Sequence, residues 1–235
     1  MDGYEEIENV RKANGASISC GIDSLSTIYK YYELEKDLDY RFIHLFFFNC
    51  GWHGRIDNPN TKTLFLKRAL QAEKVSDEIG LPLVRVDSNL HAFLYNLDNQ
   101  VPYFNLHTII FALDKSIGKY YLSRPFSYEE VLKCGYKSAG RDFSEYGNPI
   151  SLPLLATKNT RIISDGCQYK RSEKTKFISN WGISKKYLNV CCRNSDNPEV
   201  DEKNCSECPK CNRTMVALDA LGMLDKYSSV FDIKK

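Results

Sequence analysis

The chain has no long apolar segment. Its most hydrophobic run, Phe42 to Phe48 (FIHLFFF), also carries His44 and is far shorter than the roughly 20 residues that cross a bilayer. A membrane protein is therefore excluded, and a buried strand is expected there instead. The opening MDGYEEIENV is acidic and lacks a basic-then-apolar leader, so a cytoplasmic location is expected. Net charge is nearly absent: 32 Lys and Arg against 30 Asp and Glu leave +2, which argues against a surface dominated by nucleic acid. Internal repeats and low-complexity tracts are missing as well. An even cysteine count is also lacking. Nine unevenly spread cysteines, in a chain long enough to fold without covalent staples, do not read as a disulfide framework.

What is present is 235 residues, 43% hydrophobic and 26% charged, enough for one large α/β domain with at most a small appendage. Short β-like runs alternate with helical ones. Strands are expected at Ala16–Ser19, Phe42–Asn49, Leu83–Asp87 and Lys119–Ser123. Helices are expected over Asp23–Tyr32, from Asn60-Thr61 through Ile79 to the Gly80-Leu81-Pro82 stop, and over Asn105–Ser116. This alternation implies a doubly wound parallel sheet. Ligands of such sheets sit at the carboxyl ends of the strands, here the loops after Ser19, Asn49, Asp87 and Ser123. Residues 124–149 lose periodicity, and read either as an active-site lid or as an irregular surface insertion.

Ser19-Cys20-Gly21-Ile22-Asp23-Ser24 lies between the first strand and the first helix. Unpaired N–H groups at such a turn make a phosphate cradle, although a helix simply capped by Asp23 or Ser24 would have the same residues. Cys20 has a Cβ and is expected to avoid backbone conformations reserved for glycine. The hexapeptide resembles the SGGxDS signature of the PP-loop, or N-type ATP pyrophosphatase, superfamily, with Cys20 in place of the first glycine. The resemblance implies a HUP-like nucleotide-binding domain over residues 1–150, bound ATP and Mg²⁺, pyrophosphate release and AMP transfer to a substrate oxygen. It makes Ser19, Cys20, Gly21, Ile22, Asp23 and Ser24 the phosphate loop. In it Ser19 and Ser24 donate to phosphates, Gly21 leaves room, and Asp23 organises the loop or Mg²⁺. The resemblance also makes Asn49, at the end of the second strand, a nucleotide-binding residue, and His53 lies just after that strand, near where adenine would sit.

Five of the cysteines lie between Cys191 and Cys211. Cys205-x2-Cys208-x2-Cys211 has zinc-ligand spacing, and Pro209 stiffens the turn. The segment is polar (Asn204, Ser206, Glu207, Lys210, Asn212), unlike cysteines scattered through a core. The fourth ligand is Cys191 or Cys192. If the segment is extended, Leu188, Val190 and Cys192 share a face, which favours Cys191. A helix over Thr214–Leu224 follows, so residues 151–235 read as a C-terminal segment that completes the site and carries a helical zinc knuckle. Four thiolates leave no open coordination position, making the Zn²⁺ structural.

Loop and knuckle in this order resemble the 7-cyano-7-deazaguanine synthase branch of the superfamily, which carries a zinc-binding C-x8-C-x2-C-x2-C; the first gap is longer here. Arg171-Ser172-Glu173-Lys174-Thr175 is similar to that branch's TKxEI segment, which implies that Lys174, and next Arg171, contact the triphosphate. Val101-Pro102-Tyr103-Phe104-Asn105 is similar to VPGRN without its glycine and arginine, and a YPDCR-like segment is missing. Residues 158–193 are strongly basic, suiting a polyphosphate or simply a solvated face. Asp165, before Gly166, either binds metal or substrate or only makes a turn.

The activity implied is an ATP-dependent ligase or synthase. A carboxylate or amide oxygen of a small-molecule or peptide-type substrate attacks the α-phosphorus, and ammonia or a sulfur donor then attacks the adenylate. A sulfur branch, as in thioamide formation or RNA thiolation, needs a reactive thiol, for which Cys20, Cys134 and Cys167 are candidates. A tRNA-binding zinc module without catalysis is the reading from a different class. The resemblance also implies a homodimer.

Overall fold

A computed structural model describes residues 13–53, 57–93, 101–135, 152–191 and 204–234. Five parallel strands form one sheet: β1 (Ala13–Ser17), β2 (His44–Asn49), β3 (Leu83–Asp87), β4 (Ile117–Ser123) and β5 (Arg161–Asp165), in the order β3-β2-β1-β4-β5. The order reverses at β1. The crevice at such a reversal, outside the carboxyl ends of the strands, is where open α/β sheets take ligands.

Strand β2 shows why the sheet is covered on both faces. Leu45 and Phe47 turn into one core with Ala16, Leu25, Phe65 and Tyr121, whereas Phe46 and Phe48 turn into another with Leu106, Ile110, Tyr120 and Leu122. Period-two alternation with both faces buried gives a continuous apolar run. In β1, ANGAS lacks strong strand formers, but the strand must fit between β2 and β4. A Cβ at Gly15 would stand 2.1 Å from the His44 carbonyl oxygen, so only glycine permits this approach.

On one face lie α1 (Ile22–Ile28), which continues as a wider π-helical stretch over Tyr29–Leu34, and α2 (Asn60–Ile79). Leu64, Phe65, Ala69, Ala72, Val75 and Ile79 put a 3.6-residue stripe of α2 into the core. A short α3 (Leu90–Phe93) precedes α4 (Val101–Ala112), whose Leu106, Ile109 and Ile110 cover the other face. This helix starts four residues before the expected Asn105, because Pro102 is accommodated in a first turn, where its missing N–H is not needed. Helix α5 (Tyr128–Gly135) occupies part of the stretch read as lid or insertion; residues 136–150 lie outside the described residues.

After β5 come α6 (Arg171–Ile178), α7 (Gly182–Tyr187) and α8 (Pro209–Ala220). The last starts at Pro209 rather than Thr214, with proline in its first turn. No described helix is long and apolar enough to cross a membrane.

Candidate functional site: a loop at the strand-order reversal and a four-cysteine centre

Between Ser17 and Ile22 the chain makes a tight turn at the carboxyl end of β1. Gly21 is the N-cap of α1, and neither Asp23 nor Ser24 caps the helix with its side chain, so the simple capping arrangement is not what is found. Ser19 Oγ donates to Ser24 Oγ (3.0 Å), which donates to the Gly21 carbonyl (3.2 Å). Cys20 departs from expectation: its φ is +58°, in the left-handed region that residues with a Cβ rarely occupy. Two restraints hold it there. Its side chain is packed in the core, and its carbonyl accepts the Asn189 N–H at 2.8 Å.

Asp23 is drawn to α6. Arg171 and Lys174, three residues apart and so on one helix face, donate to its two oxygens at 2.6 and 3.2 Å. The local fold that delivers them is capped by Glu173, which accepts the Lys170 N–H at 2.6 Å. Lys174 is only 1% exposed and also donates to the Arg124 carbonyl, in the loop after β4. A buried ammonium is tolerated only with such partners. Gly166 makes room for it: φ there is +85°, and a Cβ would stand 3.1 to 3.2 Å from the end of Lys174. Asp23, Arg171 and Lys174, singled out in sequence, thus meet between the loops that follow β1, β4 and β5.

At the end of β2, Asn49 Nδ2 donates to Asp87 (2.7 Å), while its buried Oδ1 has no hydrogen-bond partner among the described residues; the same holds for Ser123 Oγ at the end of β4. Asp165 is committed internally. Thr27, Lys30 and Tyr31 donate to its oxygens at 2.8, 2.8 and 3.1 Å, so it joins the first helical run to β5. Burial, with the Asp165 charge second, pushes the Tyr31 phenol far up. His53 is buried between Phe47 and Phe65, its Nδ1 accepting from Arg68 at 3.3 Å.

The sulfurs of Cys191, Cys205, Cys208 and Cys211 lie within 4.8 Å of one another. Cys205 to Cys211 is 3.8 Å and Cys208 to Cys211 is 3.4 Å. These distances fit zinc, because Zn–S bonds of about 2.3 Å place the corners of a tetrahedron about 3.8 Å apart. Cys191 is therefore the fourth member; Cys192 lies outside the described residues. Cys208 is the N-cap of α8 and its N–H points at Cys205 Sγ (3.3 Å). Buried Asn204 binds the pieces together. Its Oδ1 accepts from Val190 N–H (2.7 Å), and its Nδ2 donates to Leu188 and Val230 carbonyls (2.8 and 3.0 Å). Burial pulls Arg68 below its ordinary pKa and the nearby Cys191 opposes that pull.

Sequence reasoning missed Asn189, Asn204 and Arg68. Only Asn204 carried a local signal, its place beside Cys205. Of the thiols considered for sulfur chemistry, burial pushes Cys20 up to about 12 and raises Cys167 despite Arg124 and Lys174 nearby, leaving neither as a ready thiolate. The Cys134 side chain lies outside the described residues. No family model, curated protein or solved structure matches the chain.

Proposed function

We propose that the chain is an ATP-dependent enzyme of the PP-loop type, which adenylates a carboxylate or amide oxygen and releases pyrophosphate. The observation that carries this reading is the meeting of Asp23, Arg171 and the buried Lys174 beside the Ser19–Ser24 loop, at the reversal of strand order. A triphosphate entering there finds two cations, one of them almost free of solvent competition, together with Ser19 and Ser24 hydroxyls. The strength of charge–charge contacts rises as water is excluded, so the developing charge of in-line displacement at the α-phosphorus is offset mainly by Lys174 and Arg171. Asp23 holds both cations in place until the phosphates take them over. Engaged by two cations, Asp23 is not a ready ligand for Mg²⁺; a Mg²⁺ ion accompanying the nucleotide would supply neutralisation of phosphate charge. Asn49 Oδ1, without a hydrogen-bond partner among the described residues, suits an amino group such as that of adenine.

Zn²⁺ held by Cys191, Cys205, Cys208 and Cys211 is structural, since the four sulfurs complete its coordination. The raised Cys20 and Cys167 favour ammonia over a protein-borne sulfur as the second nucleophile.

Calorimetric titration with MgATP tests the reading. Binding is expected, with Lys174→Met weakening it at least tenfold and weakening AMP much less, because a lysine assigned to a triphosphate acts mainly on phosphates that AMP lacks. Pyrophosphate release with carboxylate and amide acceptors is expected to disappear in Asp23→Ala. Failure to bind MgATP, or full affinity in Lys174→Met, overturns the assignment.

A further inference from the structure

The segment Leu188–Cys191 touches both sites. At one end, the Asn189 N–H holds the carbonyl of Cys20, the left-handed residue of the loop, at 2.8 Å. Two residues later Cys191 enters the four-sulfur cluster. Between them, Asn189 Oδ1 accepts the Cys191 N–H (3.3 Å) and Asn189 Nδ2 donates to Gln71 of α2 (3.3 Å), while Val190 is fixed to Asn204, next to Cys205. Nor is the loop far from this backbone on its other side, since a Cβ at Gly21 would lie 3.8 Å from the Asn189 carbonyl oxygen.

We propose that the metal-loaded cysteine centre holds the Ser19–Ser24 loop in its binding shape through Asn189, a positioning residue that acts on the Cys20 backbone. Metal fixes Cys191 against Cys205, Cys208 and Cys211. That tension sets Asn189, whose N–H then retains Cys20 in a conformation a side-chain-bearing residue keeps only when its surroundings impose it. Without metal, Cys191 is released, the Asn189 contact slackens, and Cys20 relaxes toward an ordinary backbone with its thiol uncovered. Applied to nucleotide, the inference rests on the function proposed above: metal and ATP then support each other's binding by the same factor, as linkage requires.

Two readouts test it. In the first, the zinc-loaded protein and the same protein after chelator extraction are pulsed with iodoacetamide, and labelling is mapped by peptide mass spectrometry. Cys50, fully buried in the core on the opposite face of the sheet, is the internal control. Labelling of Cys20 is expected to rise at least tenfold on extraction while Cys50 stays protected. A rise at both, or at neither, overturns the proposal. Asn189→Ala, which loses the acceptor for Cys191, is expected to raise Cys20 labelling even with zinc bound, and Asn189→Asp, which keeps it, to restore protection. In the second readout, saturating MgATP is expected to slow zinc extraction at least threefold. Equal ATP affinity with and without zinc, together with unchanged extraction, overturns the coupling and leaves the nucleotide assignment standing. Absence of ATP binding removes that assignment, while Cys20 labelling still decides whether the centre controls the loop.

Discussion

Asp23 lies 18% exposed between two cations, one of them buried. Among the described residues, replacing it by Asn leaves the Lys174 ammonium with neutral partners only, so Asp23→Asn is expected to destabilise the protein by about 2 kcal/mol in urea titration. Gly166→Ala meets both a left-handed backbone and the end of Lys174, and a loss of about 1–3 kcal/mol is expected. The pH dependence has an equally local origin. Burial, aided by Arg124, lowers His107 to about 4. The folded state therefore binds this proton less readily than the unfolded chain, whose histidine pKa is about 6.5. The associated stability is complete above pH 6.5 and is lost as pH falls through 4, up to about 3 kcal/mol. Denaturant midpoints between pH 7 and pH 4 are expected to fall less in His107→Gln than in the unmodified protein.

Among elements, β1 is the least tolerant. A methyl at Gly15 collides with the neighbouring strand's backbone at 2.1 Å, and Gly15→Ala is expected to cost about 3 kcal/mol or more, or to prevent folding, as read by circular dichroism. The same close approach explains why the start of β1 was not legible: ANGAS is selected for fit between strands, and propensity arguments place the strand three residues late. Strand β2 was legible because burial on both faces leaves an unmistakable apolar run. Helix α4 was only half legible, since its first four residues, Val101 to Phe104, are all apolar and no polar face marks its start. In the site, Cys205–Cys208–Cys211 could be found from their short, regular spacing, whereas Asp23 and Lys174 were singled out only through the resemblance of their segments to known motifs. Asn189 could not. The group that meets Cys20 is a backbone N–H, and the side chain that sets it meets Cys191 and Gln71 without any spacing that would announce the contacts.

At the scale of the molecule, one sheet and one site draw on distant stretches of chain. Strand β5 pairs with β4 from Lys119↔Arg161 to Ser123↔Asp165, and α6 supplies both cations that hold Asp23. A fragment of residues 1–150 is therefore expected to lack a cooperative thermal transition. Removal of zinc is expected to lower the melting temperature of the whole chain, because Cys208 and Cys211 are buried in the same core as α1 and α2. The left-handed turn at Cys20 has a further consequence for association. The turn is held by contacts within the protein, the Asn189 N–H and the packing of the Cys20 side chain, so its conformational entropy is lost during folding and not at the moment of binding. A loop ordered in advance captures its ligand at a rate governed by encounter, and differences in affinity among ligands then reside in how slowly each departs.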